Sequence, residues 1–120
     1  MKNKSYKGKI VKKSLLKCKG VCKTYDPIQF AYADVLEAND EIAEIRVNVA
    51  LDGLVIDGKE YVSDFVCVRT DGDLMVRECV VREHLEKPLT VKLLDASRDY
   101  WMRNGIKDWG IVINEIAEEK

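Results

Sequence analysis

The 120-residue sequence has only two prolines, seven glycines and one histidine, and it has no long uninterrupted hydrophobic run. The low proline and glycine content excludes collagen-like and low-complexity chains. No apolar run approaches the roughly 18 to 20 residues that span a bilayer. The first residues carry no apolar segment of the kind that secretory signals contain. We therefore expect a cytoplasmic protein without a membrane partner.

What remains is the composition of one ordinary globular domain. Hydrophobic residues make up 47% and charged residues 34% of the chain, so a chain of this length can bury one core but not two. The four cysteines are expected to be free thiols in a reducing compartment. Cys18 and Cys22 have a spacing that a zinc site could use, but a second close pair is missing. Cys67 and Cys79 stand in apolar runs, which favours small core residues.

The charge is divided unevenly along the chain. Residues 1–25 contain nine lysines and no acidic residue, whereas the other 95 residues contain 11 basic and 21 acidic residues. A lysine-rich arm can follow phosphates and bind nucleic acid without reading its sequence. A solvated tail is the other open interpretation. The lysines that we expect to contact phosphates are Lys4, Lys7, Lys9, Lys12, Lys13, Lys17, Lys19 and Lys23.

Turn signals and apolar periodicity predict an α/β fold in the order α-β-β-β-α-β. Asp26 is a good helix N-cap and Pro27 suits the first helical position. A crossover through the second helix would make the last strand parallel to its neighbour in a mixed central sheet. We expect helices from 26 to about 39 and from 88 to 104, strands over 44–51, 60–69, 74–82 and 110–113, and turns at 52–53, 57–58 and 71–73. The predicted divisions are a basic arm (1–25), a core (26–115) and an acidic tail (116–120).

Two acidic residues stand inside apolar strands, Asp64 in the second and Glu78 in the third. A buried carboxylate is costly unless it is paired or binds a cation, and two on adjacent strands could hold Mg²⁺. The turn between the strands decides whether they meet. A two-residue loop would pair Asp64 with Cys79 and send Glu78 to the other face. A three-residue loop would pair Asp64 with Val80 and place both carboxylates, together with Arg82, on one face.

Each of these residues also has a purely structural interpretation. Asp64 could accept a hydrogen bond from a neighbouring backbone N–H. Glu78 could form an ion pair with Arg82 or Arg46. Gln29 stands three residues after Asp26, as in a capping box. The two tryptophans, Trp101 and Trp109, are expected in the core.

The order of elements, with Asp64 on the second strand and Glu78 on the third, resembles the core of PD-(D/E)XK nucleases. It is more narrowly similar to the N-terminal catalytic domain of TnsA-type transposase endonucleases, over residues 25–115 and most clearly in the segments 35–40, 61–65, 71–78 and 104–110. The resemblance implies a restriction-endonuclease-like fold in which Asp64, Glu78 and the carbonyl of Cys79 bind Mg²⁺ or Mn²⁺. Such a metal polarises a phosphodiester and lowers the pKa of its bound water.

The chain departs from this family at two catalytic positions. The family's lysine, two residues after the glutamate, falls on Val80, and its helix-one glutamate falls on Gln29 or Phe30. Losing one such electrostatic group costs on the order of a hundredfold in rate. An arginine could supply charge but is not a base near neutral pH. The residues that could stand in for the lysine are Arg82, Lys92 and Arg98.

Two functions of different classes follow from the resemblance. One is a small metal-dependent DNA endonuclease of a mobile element, with intact or weakened catalysis, working as a homodimer or with a partner of a transposase or nuclease complex. The other is a nuclease-dead accessory or inhibitor that binds nucleic acid or protein, for example an anti-CRISPR protein, which the missing lysine favours. A structural protein without a nucleic-acid role is a third possibility that the lysine-rich segment disfavours.

Overall fold

A computed structural model describes residues 10–114, which form an α/β fold. The elements are β1 (Val11–Lys13), a 3-10 turn (Leu16–Cys18), β2 (Cys22–Thr24), α1 (Pro27–Glu37), β3 (Ile42–Ile56), β4 (Lys59–Arg69), β5 (Leu74–Val80), a second 3-10 turn (Arg82–His84), α2 (Pro88–Arg103) and β6 (Asp108–Ile113). The predicted order α-β-β-β-α-β is confirmed from α1 onward. The predictions for Lys4, Lys7, Lys9 and the acidic tail lie outside the described residues.

The central sheet is mixed, with the strand order β3-β4-β5-β6. β3, β4 and β5 are antiparallel neighbours, and β6 runs parallel to β5 as the crossover through α2 predicts. Each helix covers one face. An α1-side cluster contains Ala33, Leu36, Ile45, Phe65, Cys67, Met75 and Cys79. An α2-side cluster contains Leu51, Tyr61, Val66, Val76, Leu93 and Trp101.

The helix ends follow the capping signals of the sequence. The Asp26 side chain accepts a hydrogen bond from the Gln29 N–H at 2.8 Å, and Pro27 opens α1. α2 ends at Arg103 with Asn104 as its C-cap, and Gly105 has a φ of +83°, the left-handed conformation that commonly follows a helix. Neither helix in residues 10–114 has the length and apolar character needed to cross a membrane.

β3 is longer than predicted, because the expected turn at Asp52-Gly53 is wrong. The strand runs through these residues, and a register shift between Ala50 and Val55 absorbs them as an irregularity in its pairing with β4. The turn lies at Asp57-Gly58, where both residues have positive φ angles of 52° and 79°. That is the backbone of a two-residue type I′ hairpin, which matches the strand twist.

The described part of the predicted arm packs on the core rather than extending from it. β1 and β2 form an antiparallel hairpin, and Cys22 and Thr24 are buried. The Lys13 side chain is 12% exposed, with its Nζ 2.9 Å from an Asp34 carboxylate oxygen and 2.6 Å from the Phe30 carbonyl. Lys13 is therefore engaged within the fold, and its contact with phosphate stays a prediction.

Candidate functional site

Asp64 and Glu78 meet where the ladder between β4 and β5 ends. The last described pair at this end is Phe65 with Arg77, and residues 70–73 connect β4 to β5 at the turn. Both registers considered from the sequence are therefore wrong. Continuing the observed register by one residue sets Asp64 opposite Glu78, so the carboxylates converge for a reason other than the one predicted.

β3 and β4 change faces at matching positions. On β3, Val47 packs in the α1-side cluster whereas Val49 packs in the α2-side cluster. Asn48 between them has a φ of 57°, a left-handed conformation that asparagine tolerates better than most residues. On β4, Phe65 lies on the α1 side whereas Ser63 contacts α2. This slip in the alternation lets the intervening side chains reach both α1 and the β5 backbone.

Asp64 lies at this slip and is 1% exposed. Its Oδ1 accepts a hydrogen bond from Gln29 Nε2 at 2.6 Å, and its Oδ2 accepts the Cys79 N–H at 2.8 Å. The structural interpretation of Asp64, a bond from a neighbouring backbone N–H, is confirmed. Gln29 also donates to Asn48 Oδ1 at 2.8 Å and accepts the Tyr25 N–H at 2.9 Å. Its interpretation as only a capping-box residue is therefore wrong.

Glu78 is fully buried and held by a different set of donors. Its Oε1 accepts the Asp64 N–H at 2.8 Å. Its Oε2 accepts the hydroxyls of Ser63 at 2.5 Å and Ser97 at 2.6 Å. These contacts replace the predicted ion pair with an arginine, since Arg46 pairs with Glu44 at 2.9 Å.

Two indoles hold the serines in place. Trp101 Nε1 donates to Ser63 Oγ at 3.2 Å, and Trp109 Nε1 donates to Ser97 Oγ at 3.0 Å. Sequence reasoning assigned both tryptophans to the core and missed both serines. A signal existed for Ser97, because it stands at helical spacing between Leu93 and Trp101 on the apolar face of α2.

Burial raises the pKa of Glu78 to about 8, and the adjacent Asp64 carboxylate adds to the shift. The two serine hydroxyls and the Asp64 N–H act in the opposite direction without cancelling it. Burial likewise raises the pKa of the neighbouring Tyr61 well above its ordinary value. Burial therefore favours the neutral form of Glu78 in the folded protein.

Of the basic residues proposed to replace the missing lysine, Lys92 and Arg98 pair with other acids, and Arg82 lies beyond the end of β5. β5 ends at Val80, so Arg82 falls in the following 3-10 turn, where the residue is exposed and its backbone N–H donates to Asn114 Oδ1 at 2.7 Å. The alternation that would have placed Arg82 beside the carboxylates does not extend that far. Lys92 pairs with Asp57 at 2.9 Å, and Arg98 with Asp95 at 3.5 Å. Val80 itself is fully buried.

The residues of this pair do not fit a divalent cation as they stand. All four carboxylate oxygens accept hydrogen bonds from N–H or O–H groups, which present positive ends where a cation would lie. Mg²⁺ keeps several waters in its shell and needs open space. Within residues 10–114, no group of three His, Cys, Asp or Glu is placed to hold a metal ion. A groove of about 290 Å³ reaches Cys79 but borders neither Asp64 nor Glu78.

The cysteines behave as core residues. Cys67 and Cys79 are buried in the α1-side cluster, as predicted, and the described cysteines are free thiols. Burial raises the pKa of Cys67 to about 12 and that of Cys79 further. Cys18 and Cys22 pack with the same cluster. The pair serves packing in the described structure.

The hairpin β1–β2 carries lysines on its outer face. Lys12 and Lys23 stand directly opposite each other, and both are exposed. Lys17 reaches the Asn39 carbonyl at 2.8 Å, and Lys19 lies 4.0 Å from Glu44. Like charges directly across a strand pair are destabilising. An anionic ligand on this face would relieve that repulsion.

Hydrogen bonds through Asn48 and Gln29 connect the hairpin to Asp64. Asn48 Nδ2 donates to the Lys23 carbonyl at 3.3 Å and to Gln29 Oε1 at 3.2 Å, and Gln29 in turn donates to Asp64.

Compared with known proteins, the chain matches no family model and no curated protein. Its function is therefore argued from this site and this surface.

Proposed function

We propose that the chain is a nucleic-acid-binding accessory or inhibitor on a PD-(D/E)XK-like fold, and that it does not cleave. One observation carries this proposal: every carboxylate oxygen of Asp64 and Glu78 is occupied by a donor of the protein itself. The order of elements and the convergence of the two acids support the resemblance in fold. The occupied oxygens and Val80 argue against the catalysis that the family performs.

Binding is assigned to the outer face of the hairpin. Lys12 and Lys23 stand opposite each other on the hairpin, and both residues are exposed. Phosphates attract such groups regardless of base sequence, because binding releases condensed counterions. The partner that this chemistry fits is the backbone of DNA.

We expect no cleavage and no metal binding by the purified protein. Plasmid incubated with Mg²⁺ or Mn²⁺ should stay supercoiled, and calorimetric titration with Mn²⁺ should give no more heat than the dilution blank. Glu78→Gln, which keeps the shape of the side chain, is the matched variant. Metal-dependent nicking that disappears in Glu78→Gln would contradict the proposal and support the endonuclease.

We expect the double substitution of Lys12 and Lys23 by Gln to weaken binding to a short random-sequence DNA duplex. The slope of log K against log salt should fall by about 0.9 for each phosphate contact that is lost. Fluorescence anisotropy over a salt series measures both quantities. Lys92→Gln on α2 is the control, because this lysine is paired with Asp57. An unchanged slope in the double variant would show that the hairpin face is not the DNA contact.

A further inference from the structure

The turn between β1 and β2 carries an unusually exposed apolar residue. Leu16 is 86% exposed, whereas the next most exposed large hydrophobic residue in 10–114 is Val55 at 59%. Val21, at the other end of the same turn, is 49% exposed. Single exposed leucines are common on protein surfaces. The exposure of Leu16 therefore indicates a binding site only together with the structure that surrounds it.

The backbone of this turn is fixed to the core. The N–H groups of Cys18 and Gly20 both donate to the Leu15 carbonyl at 3.1 Å. The Lys17 N–H donates to Glu37 Oε1 at 3.2 Å, at the end of α1. Leu15 and Cys18 pack against the α1-side cluster. The leucine that follows Leu15 is thus held outward, and burying it would break these bonds and contacts.

Lysines stand on both sides of Leu16 along the hairpin. Lys12 and Lys23 are exposed on facing strands. Lys19 directly follows the 3-10 turn that Leu16 opens, and its side chain is 82% exposed. Phosphates attract the lysines, and the stacked faces of the bases between them can take an apolar side chain. This combination of charge and apolar surface is complementary to a DNA duplex.

A lipid surface is the other partner that cationic and apolar groups together can attract. The apolar part is too small for that role. A whole myristoyl chain gives only marginal membrane binding, and the side chains of Leu16 and Val21 are much smaller. A single leucine is, however, large enough to enter one base step. The size of the apolar surface therefore favours DNA.

We propose that Leu16 is an apolar wedge that enters between two base pairs of the bound DNA and kinks the duplex. This inference rests on the proposed function, since the hairpin lysines hold the DNA backbone against which Leu16 is presented. Wedges of this kind partially unstack a base step and bend the duplex by about 20 to 90°. The chain thus selects DNA that unstacks easily, such as a mismatched duplex, without reading its base sequence.

Fluorescence anisotropy with two duplexes, one fully paired and one with a central mismatch, tests this selection. The full chain should bind the mismatched duplex about tenfold more tightly, because a mismatched step has less stacking to lose. Leu16→Ala should bring the ratio of the two affinities close to one, whereas Leu16→Met, which keeps a large apolar side chain, should retain most of it. Leu89→Ala on α2 is the control, since Leu89 is exposed but lies outside the hairpin.

Energy transfer between dyes at the two ends of the paired duplex measures the kink. Saturation with the full chain should raise the transfer, and Leu16→Ala should lose most of that rise at equal saturation. Binding without a mismatch preference, or a preference and bend indifferent to Leu16→Ala, would overturn the wedge and leave the proposed DNA binding intact. No binding to either duplex would overturn both. If Leu16→Ala instead loses only binding to phosphatidylserine vesicles, the leucine serves a lipid surface and the wedge is overturned.

Discussion

The free energy of unfolding is expected to fall as pH rises from about 5 to about 9, and Glu78→Gln is expected to remove most of this dependence. Burial raises the pKa of Glu78 to about 8, above the ordinary carboxyl value of 4.5. The folded protein therefore keeps a proton that the unfolded chain releases. The resulting stability is complete below the unfolded pKa and is lost as pH rises through the folded pKa, by about a few kcal/mol in all.

Urea unfolding followed by circular dichroism at several pH values measures this slope. Glutamine has the shape of the protonated acid, and its Nε2 can donate to both serine hydroxyls, each of which has lone pairs to accept. Above pH 8 or so, the variant should be more stable than the wild type. Glu60→Gln, an exposed carboxylate on β4, is the control and should keep the wild-type slope. A Glu78→Gln protein with the wild-type slope would show that another group is responsible.

Asp64→Ala is expected to cost about 3 to 5 kcal/mol of stability, a large part of what a domain of this size has. The substitution leaves the Gln29 amide and the Cys79 N–H without their buried acceptor. In the unfolded state each of these donors bonds to water. In the folded variant it is buried without an acceptor, so that hydrogen bond is lost and not replaced. The midpoint of urea unfolding measures the effect.

Two further variants separate charge from hydrogen bonding at this position. Asp64→Asn keeps one acceptor oxygen but turns an amide toward the second donor, so its loss should be smaller than that of Asp64→Ala. Asp95→Ala removes only an exposed ion pair with Arg98 and should change stability by less than about 0.5 kcal/mol. An Asp64→Ala protein as stable as Asp95→Ala would contradict the structural role of the carboxylate.

Local signals predicted most of the core fold. Asp26 and Pro27 mark the start of α1, and Gly105 marks the end of α2, because caps depend on the residues that form them. The hairpin β1–β2 was missed for a physical reason. Its lysines suggested a solvated arm, and the buried residues that anchor it, Cys22 and Thr24, make contacts only once the core exists.

The site was predicted in its residues but not in its geometry. Asp64 and Glu78 were identified because acids in apolar strands need partners. The slip at Asn48 could not be read from the pattern, since the alternation looks regular on either side of it. The register depended on the turn over residues 70–73, where the Arg69 N–H donates to the Asp73 carbonyl. The residues at which this turn closes cannot be predicted from the sequence alone.

The two indoles that donate to the serines make the intrinsic tryptophan fluorescence sensitive to the state of Glu78. Trp101 and Trp109 are the two tryptophans of the chain. Each donates to a serine whose hydroxyl bonds to the Glu78 carboxyl. Gain or loss of the proton there alters the field at both rings. The emission of the unlabelled protein thus reports the ionisation of its most deeply enclosed acid.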